Sequence, residues 1–368
     1  MEQVFLNLNN NFPFFNNSHK PIFIVGPCSA ESEEQVIKTC LELSKYKIDA
    51  LRAGIWKPRT RANSFEGHGK IALQWFKNAG KETGLPLAVE VASSKHVEAC
   101  LNEGIEILWI GARTTVNPFV VQEIADSLKG SDVTVLVKNP INPDIEMWIG
   151  ALERLNKAGI TKLIALHRGF STYEHTKYRN IPYWKIPIEL KRRIPNLKIF
   201  CDPSHISGNR DFILPISQKA IDLDFDGLMI ESHLNPENAL SDSSQQITPK
   251  DFGEILNKLV LKQNKIENQN FNLQLEYLRD KIDKIDYELL ELLSERMKIV
   301  KDIGIYKKEN KVTVFQNARW EELIKNRLEI ASQKDLSEEF TLEIFESIHQ
   351  ESIKKQTALI NIDIDKKS

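Results

Sequence analysis

IFIVGPCSAE, residues 22–31, is an apolar, β-branched run that ends in a turn carrying Gly26, Pro27 and Cys28. Similar runs follow with helix-type segments between them, at residues 50–53, 87–91, 105–110, 133–137, 163–166, 198–201 and 227–230. Near-continuous apolar strands separated by helices indicate a parallel sheet covered on both faces. Eight such units within about 250 residues predict a closed (β/α)₈ (TIM) barrel of the α/β class. No GxGxxG follows the first strand, which argues against a dinucleotide-binding sheet.

The composition excludes several classes of protein. The net charge of -2 over 368 residues gives no global attraction to nucleic acid or to an anionic membrane. The N-terminus lacks a basic region followed by an apolar core, and no apolar run is long enough for a membrane span. The four cysteines show no CxxC pairing, which is typical of reduced thiols or ligands. We therefore expect a cytoplasmic enzyme that acts on small molecules.

A second domain is predicted after the barrel. KQNKIENQN, residues 262–270, is a polar stretch with nothing to bury. Beyond it, apolar residues three and four apart form a heptad seam, at Leu275, Leu278, Ile282, Ile285, Leu289 and Leu292. Further helices are predicted at about 318–332 and 337–359. The expected organisation is a barrel domain at 1–262, a linker at 263–272, an all-helical domain at 273–360 and a frayed tail at 361–368.

Every predicted strand end of the barrel carries polar or reactive side chains, where the catalytic residues of such barrels lie. In chain order these are Cys28; Arg52, Lys57, Arg59 and Thr60; Glu90; Arg113; Lys138; His167 and Arg168; Asp202 and His205; and Glu231, with Asp242 in the following loop. A solvated rim would explain any one of them, but not eight consecutive strand ends. The six cations predict polyanionic substrates held through carboxylate and phosphate groups.

Four of these residues are candidate metal ligands, namely Cys28, His205, Glu231 and Asp242. A thiolate, an imidazole and two carboxylates suit a divalent transition ion such as manganese, iron, cobalt or zinc. Taken alone, Cys28 would be a small buried hydrophobe and His205 a hydrogen-bonded loop residue. Their convergence at one face of the barrel favours ligands. His233 has suitable chemistry, but it follows Glu231 by two residues, where the chain is already leaving the barrel mouth.

The strand-end motifs carry a resemblance to a known family. In order they are GPCSAE, KPRT, GAR, VKNP, HRGF, CDPSH and IES…LSD. From about residue 21 to 261 they resemble 3-deoxy-D-arabino-heptulosonate-7-phosphate (DAHP) synthases, and more narrowly the compact bacterial subgroup allied to 3-deoxy-octulosonate-8-phosphate synthases. The resemblance implies an aldol-like condensation of phosphoenolpyruvate with erythrose 4-phosphate that releases phosphate. KPRT favours this aldehyde, because octulosonate synthases typically show a KANRS-like sequence there.

Matching positions imply a role for each group of residues. The phosphate and carboxylate of phosphoenolpyruvate would be held by Arg52, Lys57, Arg113, Lys138 and Arg168, with Lys57 and Lys138 expected to be catalytic. Arg59 and Thr60 would bind the phosphate of erythrose 4-phosphate. Cys28, His205, Glu231 and Asp242 would bind a divalent metal, for which manganese is the first choice over iron, cobalt and zinc. The metal would polarise the aldehyde.

The helical seam carries cations of its own. Arg296 and Lys307 are eleven residues apart, which brings them to nearly the same face of one helix at a separation of roughly 16 Å. Two long cations in this arrangement could clamp one small dianion. Arg279 lies too far along the helix to join them, so a functional Arg279 would serve the site of another subunit. Solvated helix charges are the alternative.

Three segments of this region resemble the all-helical class of chorismate mutase. They are LRDKIDKIDYELLELLSERMKIVKDIGIYK, ARWEELI and ESIKKQ, within about residues 273–359. The resemblance implies a Claisen rearrangement of chorismate to prephenate in an intertwined homodimer. Matching positions are Arg279 (donated across the dimer), Arg296, Lys307, Arg319, Ser352 and Gln356, with Lys307 and Gln356 hydrogen-bonding the ether oxygen. Gln316 and Trp320 depart from the family, which often has Asp and Glu there.

Three hypotheses follow from these patterns. The first is a bifunctional enzyme that is at least a dimer through its helical domain. The second makes the helical domain a sensor of chorismate or prephenate without useful catalysis, and the third makes the barrel an octulosonate synthase using arabinose 5-phosphate. Only about twenty residues precede the first strand, too few for a regulatory domain. Feedback by prephenate or chorismate is therefore expected to enter through the mutase domain.

Overall fold

The computed structural model describes residues 3–13, 15, 21–58, 64–173, 176–261 and 269–361. The chain divides into two units, Met1–Asn264 and Lys265–Ser368. Most of the predicted linker falls on residues 262–268, outside the described residues. The prediction was wrong for the last four linker residues, 269–272, because a helix already begins at Gln269. Extending an existing helix by one turn costs little, since only nucleation is unfavourable.

The first unit is the predicted parallel barrel, which is confirmed. Its eight strands are hydrogen-bonded in chain order, and β8 pairs with β1 to close the sheet. The strands are β1 (Ile22–Gly26), β2 (Ala50–Ala53), β3 (Leu87–Val91), β4 (Ile107–Ile110), β5 (Thr134–Lys138), β6 (Leu163–His167), β7 (Lys198–Cys201) and β8 (Gly227–Glu231).

Ten helices of this unit are described, together with short 3₁₀ turns at Arg210–Phe212 and Pro236–Asn238. They are α1 (Glu33–Leu43), α2 (Lys70–Thr83), α3 (Ser94–Asn102), α4 (Ala112–Thr115), α5 (Pro118–Ser127), α6 (Ile145–Lys157), α7 (Lys185–Arg193), α8 (Pro203–Ser207), α9 (Ile213–Asp222) and α10 (Pro249–Lys258). Several begin at side-chain caps. Ser32, for example, accepts a hydrogen bond from the N–H of Gln35 at the start of α1.

Two features of the barrel differ from the sequence-based expectation. The fourth strand begins at Ile107 rather than at 105, because the N–H of Ile105 bonds to the carbonyl of Cys100 in the turn after α3. Helices α7 and α9 fall where the repeat of strands and helices requires a helix, but their bounds were not predicted. In α7, Pro187 lies in the first turn, where its missing N–H has no partner to lose.

Side chains alternate between two cores along each strand, as the period of two in a β-strand requires. In β1, Ile22 and Ile24 lie in the cluster that fills the barrel interior. Phe23 and Val25 lie in the larger cluster between the sheet and its helices. The same alternation holds around the barrel, so the backbone position alone decides which layer a side chain enters.

A segment before β1 closes the bottom of the barrel. Phe12 and Phe15 are 1% and 4% exposed and belong to the interior cluster, with their rings 5.9 Å apart. Phe15 also lies 6.1 Å from the ring of Phe200 in β7. Backbone hydrogen bonds from Val4 to Arg193 and from Asn9 to Thr161 attach the segment. The interior is therefore filled from its N-terminal end upward.

The second unit is all-helical. It contains α11 (Gln269–Glu309), α12 (Asn317–Ser332) and α13 (Glu338–Asn361), and α13 packs against both of the others. Most of the predicted seam of α11 is exposed in the single chain, including Leu278, Ile282 and Leu289. Across the ranges that the structure describes, no helix combines the length and apolarity needed to cross a membrane.

Phe12→Ala should destabilise the barrel unit. Removing a fully buried aromatic ring that the surroundings cannot replace costs about 3–5 kcal/mol of unfolding free energy. Chemical denaturation followed by tryptophan fluorescence would measure the loss. Phe5→Ala is the matched control, because Phe5 is 87% exposed in the same segment. Equal midpoints for the two variants would show that the segment does not seal the barrel.

Candidate functional site

The inward positions of the strands continue into a polar mouth at the C-terminal end of the barrel. In β2, Ala50 belongs to the interior cluster, so Arg52, two residues on, faces the same way. By the same period, the inward positions ending the other strands include Glu90, Lys138, Arg168, Asp202 and Glu231. Cys28 follows Gly26, which lies opposite Glu231 in the β1–β8 register. The local strand geometry therefore sets most of the site.

His167 was expected to act at the mouth, and this expectation is wrong. It occupies an outward position of β6 and packs among aromatic side chains, with ring centroids 5.3 Å from Trp184 and 6.2 Å from Phe225. Burial lowers the pKa of His167 to about 3, so it is a neutral core residue. Only Arg168 of the pair belongs to the mouth.

A cavity at the mouth is lined mainly by charged side chains. They are the cations Lys57, Arg113, Lys138, Arg168 and Arg179, the carboxylates Glu90 and Asp242, and His205. Five cations against two carboxylates create a local field that attracts anions, although the chain as a whole is slightly negative. Arg59 and Thr60, predicted to bind a sugar phosphate, lie outside the described residues.

Gly111 makes room for the carboxylate of Glu90 in this cavity. A Cβ atom on Gly111 would lie 2.2 Å from Oε1 of Glu90, so any larger residue would force this carboxylate to move. Arg113 follows in α4, a single turn that begins directly after Gly111. The glycine therefore allows an acidic and a basic side chain to enter the same cavity from β3 and α4.

Three of the four predicted metal ligands come together beside the cavity. Ligand atoms of Cys28, Glu231 and Asp242 all lie within 4.8 Å of one another. The fourth, His205, lies at the edge of this group, with Nε2 3.8 Å from Oε1 of Glu231. Lys57 also reaches the group and places Nζ 3.0 Å from Sγ of Cys28.

The electrostatics of this group suit a cation. Burial, together with the negative charges of Glu231 and Asp242, raises the pKa of the Cys28 thiol to about 12, although the charge of Lys57 opposes the rise. Burial also disfavours ionised Glu231, but His205 and Arg52 hold its pKa below the usual value. Among the described residues none donates a hydrogen bond to the buried Oε1 of Glu231. An orphaned carboxylate oxygen beside a thiol and a second carboxylate fits a divalent metal ion.

Arg52 lies beneath the cavity and is 1% exposed. Its Nη2 is 3.1 Å from Oε1 of Glu231, and its guanidinium carbon lies 4.8 Å from the ring centroid of Trp109. Burial lowers the pKa of Arg52, but the negative charges around it, of which Glu231 is the strongest, together raise it by more, so the group stays charged. The ion pair and the aromatic face both stabilise a buried cation.

A second buried ion pair links the cations to the candidate ligands. Nζ of Lys138 donates to Oδ2 of Asp202 at 2.8 Å, and the same oxygen lies 2.8 Å from Nδ1 of His205. Burial disfavours ionised Asp202, but His205 and Lys138 together hold its pKa well below the usual range. Asp202 therefore orients the His205 imidazole and fixes Lys138 in the cavity wall.

Sequence reasoning missed Arg179. It comes from the loop after β6, away from any strand end, and is held there by its N–H bonding to the carbonyl of Ser207. Its Nη1 donates to Oδ1 of Asp242 at 3.0 Å and to Oε1 of Gln245 at 2.7 Å. No spacing in the sequence signals a contact between residues 179 and 242, because it depends on how two loops meet.

The helical unit brings together four of its six predicted residues. Nη1 of Arg296 in α11 donates to Oγ of Ser352 in α13 at 2.8 Å. One helical turn beyond Ser352, Gln356 is 7% exposed and packs near Gly304, where an added Cβ would meet its Cγ at 3.2 Å. Lys307, three residues after Gly304, donates to the carbonyl of Val314.

The other two predicted residues lie apart from this group within the single chain. Arg279 pairs with Glu276 and Arg319 pairs with Glu322, and all four side chains are more than half exposed. Neither pair holds its arginine strongly, because exposed ion pairs contribute little.

Trp320, one of the two departures from the family, has a structural partner. Its ring stacks on His349 of α13 with centroids 4.0 Å apart and planes 17° apart. Burial and the charges of Arg296 and Lys307 lower the pKa of His349, which places this imidazole close to both cations. His349 was not predicted, because nothing in the sequence signals a ring contact across two helices.

Comparison with known proteins agrees with this geometry. The sequence model of the DAHP synthetase I family matches residues 14–268. The chain belongs to this family. The model of chorismate mutase type II matches residues 278–357. The protein is therefore a bifunctional enzyme that joins a DAHP synthase barrel to a chorismate mutase domain.

Individual relatives include both heptonate and octonate aldolases. Phospho-2-dehydro-3-deoxyheptonate aldolase of Thermotoga maritima is 32% identical over 236 residues, which cover 64% of this chain and 68% of the relative. A crystal structure of that DAHP synthase superposes with a TM-score of 0.60 at 29% identity, covering 70% of this chain and 72% of the other. A 2-dehydro-3-deoxyphosphooctonate aldolase of Desulfotalea psychrophila is 27% identical over 276 residues, 66% of this chain and 90% of the relative.

Asp202→Asn should destabilise the barrel although it preserves shape. Removing one charge of a buried pair leaves Lys138 uncompensated, which costs about 3 kcal/mol. Denaturant midpoints would measure the change. Asp126→Asn is the control, because the side chains of Asp126 and Lys129 are 48% and 61% exposed in their pair, and its loss should cost about 0.5 kcal/mol. Similar costs for both variants would contradict a structural role for Asp202.

Proposed function

We propose that the barrel condenses phosphoenolpyruvate with erythrose 4-phosphate to give DAHP and phosphate, and that the helical unit rearranges chorismate to prephenate. One observation carries the synthase assignment, namely a cavity in which five cations lie beside three clustered metal-ligating side chains. The two reactants are phosphorylated anions that repel each other. Fixed cations offset this repulsion and hold both reactants in register.

Cations at different positions in the site would bind different groups of the substrates. Lys57, Lys138 and Arg168, with Arg113, line the cavity where the carboxylate and phosphate of phosphoenolpyruvate would bind. Arg52 supports this set from below, since its buried Nε and Nη1 make no hydrogen bond to any described residue. These two donors are therefore available to an anion. Arg59 and Thr60, by family resemblance, would bind the phosphate of the aldehyde.

The fit of Cys28, His205, Glu231 and Asp242 to a divalent ion, with manganese the first expectation, supports a metal-dependent reaction. The bound ion would polarise the aldehyde carbonyl for attack by C3 of phosphoenolpyruvate. The protein's own groups orient this arrangement. Asp202 positions the His205 imidazole, and Lys57 lies 3.0 Å from the Cys28 sulfur, where its charge stabilises the thiolate.

The mutase reaction needs neither a nucleophile nor an acid–base pair, only a cavity that holds the folded substrate. Arg296, Arg319 and Ser352 would bind its carboxylates. Lys307 and Gln356 would hydrogen-bond the ether oxygen as its bond breaks. The buried Oε1 of Gln356 has no hydrogen-bond partner among the described residues, so the amide is free to orient toward a ligand.

The exposed seam of α11 favours self-association through the helical unit. The seam residues Leu278, Ile282 and Leu289 are each about half exposed at heptad spacing along α11. A second copy of the chain would bury them and bring Arg279 of one protomer toward the site of the other. We therefore propose at least a homodimer formed through α11.

A sensor that binds chorismate or prephenate without turnover is the second candidate for the helical unit. The observation that favours it is the stacking of Trp320 on His349, where the family often has a carboxylate. In either case prephenate bound here would inhibit the synthase by linkage between the two domains.

Wild-type protein should use erythrose 4-phosphate in preference to arabinose 5-phosphate and should convert chorismate to prephenate. Cys28→Ala should lose the synthase reaction and keep the mutase reaction, because Cys28 belongs only to the barrel site. Phosphate release and chorismate loss would measure the two activities. Cys100→Ala, which alters another buried cysteine, should keep both.

Each half of this proposal can fail separately. A preference for arabinose 5-phosphate would make the barrel an octulosonate synthase. No prephenate above the uncatalysed background would leave the helical unit as a sensor. Full synthase activity in Cys28→Ala would overturn the ligand assignment.

Saturating prephenate should lower the initial synthase rate of the intact chain. The effector would bind the cations of the helical unit, and a coupling free energy typical of allosteric enzymes corresponds to about a fivefold effect or more. Initial rates with and without prephenate would measure it, with malate as a dianion control of similar charge. Identical rates with prephenate and malate would contradict regulation through the mutase domain.

A further inference from the structure

We propose that Arg179 and Gln245 form a positioning pair that selects which oxygen of each carboxylate ligand faces the metal. The inference rests on the proposed metal site and extends it to two residues that do not themselves contact the ion. Gln245 is fully buried, and Arg179 reaches it from the loop after β6. Neither residue belongs to the ligand group.

The pair binds one oxygen of each carboxylate. Nε2 of Gln245 donates to Oε2 of Glu231 at 2.6 Å. Nη1 of Arg179 donates to Oδ1 of Asp242 at 3.0 Å and to Oε1 of Gln245 at 2.7 Å. The two ligands are therefore joined through a continuous chain of hydrogen bonds, from Asp242 to Arg179, then to Gln245 and Glu231.

The remaining oxygen of each carboxylate is directed toward the ligand group. Oε1 of Glu231 receives no hydrogen bond from the described residues, and the basic nitrogen atoms nearest to it are Nη2 of Arg52 at 3.1 Å and Nε2 of His205 at 3.8 Å. Oδ2 of Asp242 lies 3.4 Å from the sulfur of Cys28, whose thiol donates to it. Each carboxylate thus has one oxygen hydrogen-bonded to the pair and one that faces the ligand group, where Arg52 also lies close to the Glu231 oxygen. Ordered outer partners of this kind fix ligand orientation in metal sites.

The chemistry of the pair fits this task. The Gln245 carbonyl accepts from Arg179, so its NH₂ group must face Glu231, and no other orientation satisfies both neighbours. A glutamate at this position would set two carboxylates against each other. The guanidinium of Arg179 is always charged and donates from a rigid plane, which suits a bridge between two acceptors.

The backbone of the loop also depends on these contacts. Asp242 has a φ of +47°, a left-handed conformation that a non-glycine residue keeps only when its surroundings hold it there. The N–H of Gln245 donates to the carbonyl of Asp242 at 3.2 Å, while Arg179 holds the side chain of the same residue. The pair therefore fixes both the backbone and the carboxylate of this ligand.

The test is the affinity of the metal-free full-length chain for Mn²⁺, measured by calorimetric titration. Gln245→Met keeps the side-chain length and removes both hydrogen bonds, and it should weaken binding about 10–100-fold. Arg179→Met should weaken binding as well. A cation that acted only by its charge would repel the metal, so its removal would tighten binding, and the direction of the shift decides between these roles.

Arg210→Met is the matched control. Arg210 binds the carbonyls of Ser243 and Gln246 in the same loop, but it contacts neither ligand carboxylate. Its loss removes the same charge from a 3₁₀ turn that contacts this loop and should change the Mn²⁺ affinity by about twofold or less. The double variant at 179 and 245 should be no weaker than the worse single variant, because the two residues act as one unit.

A spectroscopic measurement makes the test independent of turnover. Co²⁺ bound in the wild-type chain should show a thiolate charge-transfer band, and this band should shift in Gln245→Met and Arg179→Met but not in Arg210→Met. Should Gln245→Met fail to fold, Gln245→Asn, which keeps the amide but shortens it, should weaken Mn²⁺ binding in the same direction.

Two results would overturn the inference. Wild-type Mn²⁺ affinity in both variants, with a raised KM for phosphoenolpyruvate in Arg179→Met, would make Arg179 a substrate-binding residue. Tighter Mn²⁺ binding in Arg179→Met would show that Arg179 affects the metal only through its positive charge. The proposed function fails in a different way, namely if Cys28→Ala binds Mn²⁺ as well as the wild type does.

Discussion

The alternation of side chains in a closed parallel sheet is the constraint on which the barrel site depends. Because β1 to β8 form a ring, the inward positions of all strands face one interior, and the inward position at or just beyond the end of most strands enters the same mouth. Arg52, Lys138 and Glu231 are buried charges that no open surface would hold together. Burying any one of these charges alone would carry a large desolvation penalty, which pairing with an opposite charge offsets. The fold and the site therefore share one geometric cause.

This constraint explains why much of the barrel could be predicted from the sequence. Apolar runs reveal strands, and the residues just beyond them reveal the mouth, so Cys28, Lys138 and Glu231 could be found without coordinates. His167 was misplaced because the one-residue shift between inward and outward positions is invisible when two polar residues are adjacent. Arg179 was missed because it reaches the site through contacts between two loops, which have no periodicity to read.

In the helical unit, unlike the barrel, the pattern in the sequence is not buried within the single chain. Its heptad pattern is clear in the sequence, yet the single chain leaves that pattern largely unburied along α11. Four predicted residues, including Arg296 and Ser352, come together through packing of α11 against α13. Arg279 does not join them in the single chain, as its distance along the helix predicted. The heptad spacing of apolar residues thus identifies a helical surface that is available for packing. It does not identify what packs against that surface, because the sequence of one chain does not describe its association with another.

The aromatic residues that close the base of the barrel determine how substrates enter and products leave. Phe12 and Phe15 fill the lower interior, and Trp109 lies above them under Arg52, so the centre of the barrel is a solid floor. Within the part of the chain that the structure describes, the site therefore opens only at the C-terminal mouth of the barrel. Both reactants must arrive, and sugar phosphate and inorganic phosphate must depart, past the same rim of loops. Any loop that narrows this opening would slow entry and exit together.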